Sequence, residues 1–215
     1  MDYNYLKYIK QKMKNFKRIS VIALIVFIAF SSAYAQTKSA EDYYGDAAMK
    51  RLGGDYKGAI ENYKMFIAAK GTTNHNDSVT VADTYLVMAE IDVEDLRNNS
   101  EGLDYCNKAV QFDKEYQNQS EDLLFTRGIA KLYLKDYQGA INDFDSTQTM
   151  TSAAFYKGMA VFLSGNEKQG CELIIESLNN LFGGCSDQIL KENNADYIFN
   201  EFKSFPQIRR KCKCQ

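Results

Sequence analysis

Between residues 40 and 182, apolar and polar positions recur with the period of a helix, and no run of alternating β-branched residues competes with it. Small residues punctuate the pattern at fixed points. The segment Gly54-Asp55-Tyr56-Lys57-Gly58-Ala59-Ile60-Glu61-Asn62-Tyr63 is echoed by Lys135-Asp136-Tyr137-Gln138-Gly139-Ala140-Ile141-Asn142-Asp143-Phe144. Twelve positions before each alanine stands another small residue, Ala47 or Gly128. Two weaker copies follow the same plan. In one, Tyr85 and Ala89 precede Gly102, Cys106 and Ala109; in the other, Gly158 precedes Gly165-Asn166, Gly170 and Ile174. Small residues at matched points on two helices let their backbones approach. An aromatic four positions after the second small residue lies on the same helix face. Gly-Asp or Gly-Asn before the second helix supplies a tight turn and an N-capping side chain. The pattern predicts a series of helical hairpins.

This arrangement resembles the tetratricopeptide repeat family, whose unit is about 34 residues. The resemblance implies an all-α, right-handed superhelical array of about four helical hairpins. Its repeats would span about 40–70, 79–114, 121–149 and 152–182. The signature small residues are Ala47, Ala59, Ala89, Gly102, Gly128, Ala140, Gly158 and Gly170. Distances between the second-helix small residues are uneven, at 43, 38 and 30 positions. A polar, non-helical loop over residues 71–78 is expected to account for the first. Residues 183–215 are expected to cap the array, with helices over 188–191 and 196–202. The basic end, Arg209 to Lys213, reads as a frayed, solvated tail.

The first 35 residues follow a different pattern. A basic stretch with Lys7, Lys10, Lys12, Lys14, Lys17 and Arg18 precedes an apolar run from Ile19 to Phe30, broken only by Ser20. Ala33-Tyr34-Ala35 then offers small residues at the two positions a signal peptidase requires. Residues 1–35 therefore read as a secretory signal peptide cut before Gln36, whether translation starts at Met1 or at Met13. A run of twelve residues is too short for a stable membrane span, which needs about 20 apolar residues. The expected destination is the periplasm or cell envelope, or the exterior. Over the whole chain the net charge is −2, but residues 36–215 carry 20 Lys and Arg against 27 Asp and Glu, a net −7. Such a surface excludes nonspecific nucleic-acid binding and disfavours anionic membranes.

Catalytic chemistry finds little support. His75 is the single histidine, set among polar residues, and no metal-binding or nucleophile motif is present. The acidic run Glu90, Asp92, Glu94 and Asp95 reads as a solvated helix face. No cofactor and no metal are expected. Of the five cysteines, Cys106 falls at a packing position of its repeat. Cys171 or Cys185 is expected to bridge to Cys212 or Cys214, tying the tail to the last hairpin.

In the family, the first helices of the hairpins line a groove that takes a peptide. Carried over position by position, the resemblance places Tyr44, Arg51, Leu86, Glu90, Phe125, Ile129, Tyr133, Phe155, Met159 and Phe162 toward it. The alternative for these residues is that they are core, or lie beneath the capping helices. The leading expectation is an exported, non-enzymatic scaffold that holds a protein or peptide segment in a largely apolar groove. The alternative is a redox-active or enzyme-accessory envelope protein acting through its C-terminal cysteines. The sequence leaves homo-oligomers open.

Overall fold

The computed structural model describes residues 38–72, 74–112, 120–147 and 149–213. The proposed leader lies outside the described residues. Residues from Ala40 onward form one unit, and among the described residues every regular element is helical. Eight helices pair into four hairpins: α1 (Ala40–Leu52) with α2 (Tyr56–Lys70), α3 (His75–Glu90) with α4 (Asn99–Phe112), α5 (Glu121–Tyr133) with α6 (Tyr137–Asp145), and α7 (Thr151–Leu163) with α8 (Glu167–Phe182). Each hairpin packs on the next. Three short helices follow: α9 (Asp187–Glu192), α10 (Asp196–Ser204) and α11 (Pro206–Lys211).

One local device recurs at the head of every second helix. Asp55, Asn98, Asp136 and Asn166 each accept, on the backbone oxygen, the N–H of the small residue four positions on: Ala59, Gly102, Ala140 and Gly170, at 2.9–3.0 Å. The Asp55 and Asp136 side chains fold back to cap Gly58 and Gly139 at 3.1 and 3.0 Å. A Cβ on either glycine would stand 2.2 or 2.1 Å from that carboxylate, which explains the recurring Asp-Tyr-x-Gly. The residue before each cap takes a left-handed backbone: Gly54 (φ 79°), Arg97 (57°), Lys135 (67°) and Gly165 (108°). Arg97 thus fills in the second hairpin the turn position held by glycine in the first and fourth.

All eight signature small residues are buried. A Cβ on Gly170 would sit 2.5 Å from the backbone nitrogen of Phe162, and one on Gly128 would sit 2.6 Å from the Phe144 ring. In the third hairpin, Arg127 Nε and Nη2 donate to the two Asp143 oxygens at 3.0 and 2.7 Å, and Lys131 pairs with the same carboxylate at 2.7 Å. These buried charges satisfy one another across α5 and α6.

The second hairpin departs from the others by one residue. Its small residues, Ala89 and Gly102, are thirteen apart where the others are twelve apart. A single π turn, Ile91–Asp95, absorbs the extra residue, and Leu96 N–H donates to Ile91 at 3.0 Å. The turn rotates part of the acidic run inward. Asp92 is buried and Glu90 half-buried, while Glu94 and Asp95 are exposed, so only part of this run is the solvated face the sequence suggested. The polar stretch 71–78 is also shorter as a loop than expected. Asn74 caps the Asp77 N–H at 3.0 Å, so α3 begins at His75, which is exposed on its first turn.

The C-terminal tail is structured rather than frayed. Pro206 opens α11, whose Ile208 is buried, and Cys212 beyond it is 3% exposed. Arg209 pairs with Asp187, and Lys211 with Glu167. Cys171 on α8 is disulfide-bonded to Cys212, with Cα atoms 5.0 Å apart across 41 positions of sequence. In the chain-entropy picture, closing a loop of that length is worth about 4 kcal/mol. Cys185 is disulfide-bonded as well. Cys214 lies outside the described residues.

Two glycines test the small-residue contacts in opposite directions. Gly170→Ala must displace Phe162 backbone and is expected to destabilise the protein by about 1–3 kcal/mol. Gly45, in an exposed part of α1 with no atom within 4 Å of its would-be Cβ, is expected to gain up to about 1 kcal/mol as alanine. Urea unfolding of the two variants checks both signs.

Candidate functional site

The face lined by α1, α3, α5 and α7 divides into two parts. Over part of the last two hairpins it is covered by the chain itself. Phe202 of α10 stands edge-on to Phe155 of α7 with centroids 5.8 Å apart, and Phe205 lies 5.5 Å from Tyr133. Leu190, Ile198, Phe202 and Ile208 join Phe155, Met159 and Phe162 in one buried cluster. Phe155 and Met159 are 0% exposed and Phe162 4%. These three residues are therefore core beneath the C-terminal helices rather than groove wall. An apolar helix face must be covered by something, and here residues of α9–α11 cover it.

Glu201 anchors that cover. It is 2% exposed. Tyr133 Oη donates to one of its oxygens, and Arg97 Nη1 donates to the other at 3.4 Å. The Arg97 guanidinium also lies over the Tyr133 ring, 5.7 Å from its centroid. Burial, and then the bond to Glu201, push the Tyr133 hydroxyl pKa upward.

Beside this anchor the face stays open. A cleft of about 410 Å³ is lined by Glu94, Arg97, Phe125, Ile129, Ser152, Tyr156, Tyr197 and Glu201. Phe125 and Tyr156 meet edge-on at 5.6 Å, and Tyr197 is 44% exposed. Of the residues expected on the groove, Phe125 and Ile129 line this cleft and Tyr133 lies behind it. Further along, Arg51 of α1 pairs with Glu90 of α3 at 3.1 Å. Leu86 is 7% exposed and belongs to the core of the first two hairpins. Tyr44 packs edge-on to Tyr63 and Phe66 at 5.3 and 5.2 Å and lines a separate notch of about 300 Å³ between the first two hairpins.

The open part is acidic. Burial, opposed by Arg51, raises the Glu90 carboxyl above its ordinary range, and Asp122 and Asp95 add to the rise. Glu94 touches solvent but sits within the face. Desolvation there, and then the charges of Glu90 and Asp95, push its carboxyl up, opposed by Arg51 and Arg97. Glu94 and Asp122 have no ion-pair partner among the described residues.

No protein-family model matches the chain. Over 108 residues, half of this chain, it is 32% identical to the DnaJ protein P58IPK homolog of Arabidopsis thaliana, and it spans only 19% of that protein's length. The crystal structure of a tetratricopeptide repeat protein from Parabacteroides merdae superposes with a TM-score of 0.52 at 17% identity, covering 98% of this chain and 78% of its own. The fold is that of a tetratricopeptide-repeat array. Crystal structures of MamA align with TM-scores of 0.39 and 0.38 at 16% identity, over 65% and 62% of this chain and 90% and 92% of their own, too loosely to bear on the argument.

In the second repeat of this array the π turn brings together residues that the repeat pattern does not single out. Arg97 and Glu94 belong to the cleft because of it, and Tyr197 and Glu201 reach it from α10. The legible signal was the thirteen-residue spacing and an arginine at a turn position otherwise held by glycine or lysine. Cys106, by contrast, is buried among apolar neighbours, and burial pushes its thiol up to about 12. It is unsuited to thiolate chemistry at neutral pH. Among the described residues no cluster of three His, Cys, Asp or Glu side chains could hold a metal ion, and no helix is long and apolar enough to cross a membrane.

Asp92, in the π turn, is 1% exposed, and its Oδ2 has no hydrogen-bond partner. Burial, then the charge of Glu101, raises its pKa to about 6. The folded protein holds this proton where the unfolded chain, with an ordinary Asp, has lost it. Stability is therefore expected to fall as pH rises from about 4 to about 6, and to stay flat above. Asp92→Asn is expected to abolish that slope and to raise stability at pH 7 by about 2–3 kcal/mol. Thermal or urea unfolding across pH 4–8 measures it.

Proposed function

We propose that this protein is an exported, non-enzymatic scaffold that holds a segment of a protein partner on the open part of the face lined by the first helices of its repeats. The observation that carries the reading is the division of that face. The C-terminal helices cover Phe155, Met159 and Phe162, while α5, α7, the π turn and α10 leave an aromatic-lined cleft between them, with Tyr197 exposed at its edge. A monomeric surface seldom leaves aromatic groups grouped in a concave site without an occupant. Helical repeats offer such a face as a rigid platform, because each repeat is held by its neighbours.

Export is supported by the basic–apolar–small-residue order of residues 1–35, and by disulfides that suit an oxidising compartment. The concave, aromatic-lined and acidic face suits the binding of a protein segment.

A photo-crosslinking amino acid in place of Tyr197 tests the location of the partner directly. In the envelope fraction of the producing cell, crosslinks to a discrete protein are expected from position 197 and not from position 172, on the second helix of the last repeat. Equal labelling from both positions would rule out the cleft as the place where the partner sits.

A further inference from the structure

The chemistry of the cleft narrows what its occupant carries. Around it the described face presents Arg51 and Arg97 against Glu90, Glu94, Asp95, Asp122 and Glu201. Each arginine is already committed to one carboxylate, Arg51 to Glu90 and Arg97 to Glu201. Asp95 lies against the Tyr56 hydroxyl. Glu94, which lines the cleft itself, is exposed and feels Arg51 and Arg97 only at a distance, and neither it nor Asp122 forms an ion pair among the described residues. The walls are aromatic: Phe125, Tyr156 and Tyr197. Aromatic faces and a carboxylate together form a site for a cation. The protein shows this chemistry at work a few ångströms away, where the Arg97 guanidinium rests over the Tyr133 ring while pairing with Glu201.

Resting on the scaffold reading above, we propose that the partner segment is basic, and that it seats a lysine or arginine side chain in the cleft between Phe125, Tyr156 and Tyr197, against the carboxylate of Glu94. An acidic segment, a C-terminal carboxylate or a nucleic acid would meet uncompensated negative charge there. Burial is the main cause of the upward push on the Glu90 and Glu94 carboxyls; neighbouring carboxylates add to it, and Arg51 opposes it at both. A bound cation favours their ionised forms, so binding takes up no proton and releases some. Affinity is expected to weaken as pH falls into the range where these two carboxyls protonate. The other charged groups facing them are Arg51, Arg97, Asp95 and Asp122.

The test uses the full oxidised chain and three fluorescein-labelled twelve-residue peptides that interleave Leu and Phe with Arg, Gln or Glu. The Arg peptide is expected to bind at least about tenfold more tightly than the Gln peptide, and the Glu peptide not at all. Glu94→Gln and Tyr197→Ala are each expected to weaken the Arg peptide about fivefold. Glu61→Gln, the same charge change at an exposed site on α2, is expected to leave it unchanged. Far- and near-UV circular dichroism confirm that the variants are folded.

If the Gln peptide binds as tightly as the Arg peptide and only Tyr197→Ala weakens it, the basic-partner inference falls and the cleft remains. If the Arg peptide binds but Glu94→Gln and Glu61→Gln weaken it equally, binding is diffuse, and both the inference and the cleft fall. Both fall as well if no peptide binds more tightly than about 1 mM. Spermidine binding as tightly as the Arg peptide would overturn the assignment to a protein segment.

Discussion

A carboxylate taken out of water must be given partners, or it costs several kcal/mol. Glu201 is where this chain meets that demand at the point that decides its exposed surface. The glutamate is almost fully buried, and its two oxygens are received by a tyrosine on the third repeat and by an arginine in the turn of the second. Three separate parts of the chain are thereby tied at one point. Phe202, the next residue, fills the space against Phe155, and the disulfide from Cys171 to Cys212 holds the segment that follows. Were Glu201 not satisfied in this way, the docking of α10 through Ile198 and Phe202 would carry the cost of an unpaired buried carboxylate.

The seating of α10 also makes the cleft. Tyr197 and Glu201 supply one wall, the π turn another, and α5 and α7 the floor. The one-residue insertion in the second repeat is thus coupled to the C-terminal cap. The insertion places Arg97 at a left-handed turn position from which its side chain reaches Glu201. A glycine there would relax the backbone and leave the buried carboxylate with one partner fewer. The non-glycine turn is consistent with a residue kept for its side chain.

The hairpins were legible because their constraints are local. A capping side chain, a glycine beneath it and a small residue one position later all lie within five residues, and each leaves its mark in the order of residue types. Helical period and small-residue spacing located the four repeats for the same reason. The cover over the last two repeats was less legible. Phe155, Met159 and Phe162 carry the pattern of groove residues whether the groove holds a partner or the protein's own helix, because apolar surface is buried in either case. What separates the two is a contact between residues far apart in sequence, such as Tyr133 with Glu201, and no local spacing encodes it. The inward turn of Asp92 was hidden for a related reason. A run of acidic residues on a regular helix would face solvent, and only the thirteen-residue interval hinted that this helix is not regular. The basic tail likewise looked solvated by composition, while its order comes from Ile208, Cys212 and the pairing of Arg209 with Asp187.

The central claim is that α10 is a built part of the array and occupies part of the inner face of its last two repeats. Amide hydrogen exchange on the full-length, oxidised protein reads this most directly at residues 198–202. The predicted result is exchange slowed by at least about a thousandfold relative to an unstructured peptide, approaching that of the amides at the centre of α7. Exchange at near-peptide rates over 198–202, with α7 still protected, would contradict it, and would return Phe155, Met159 and Phe162 to the open groove.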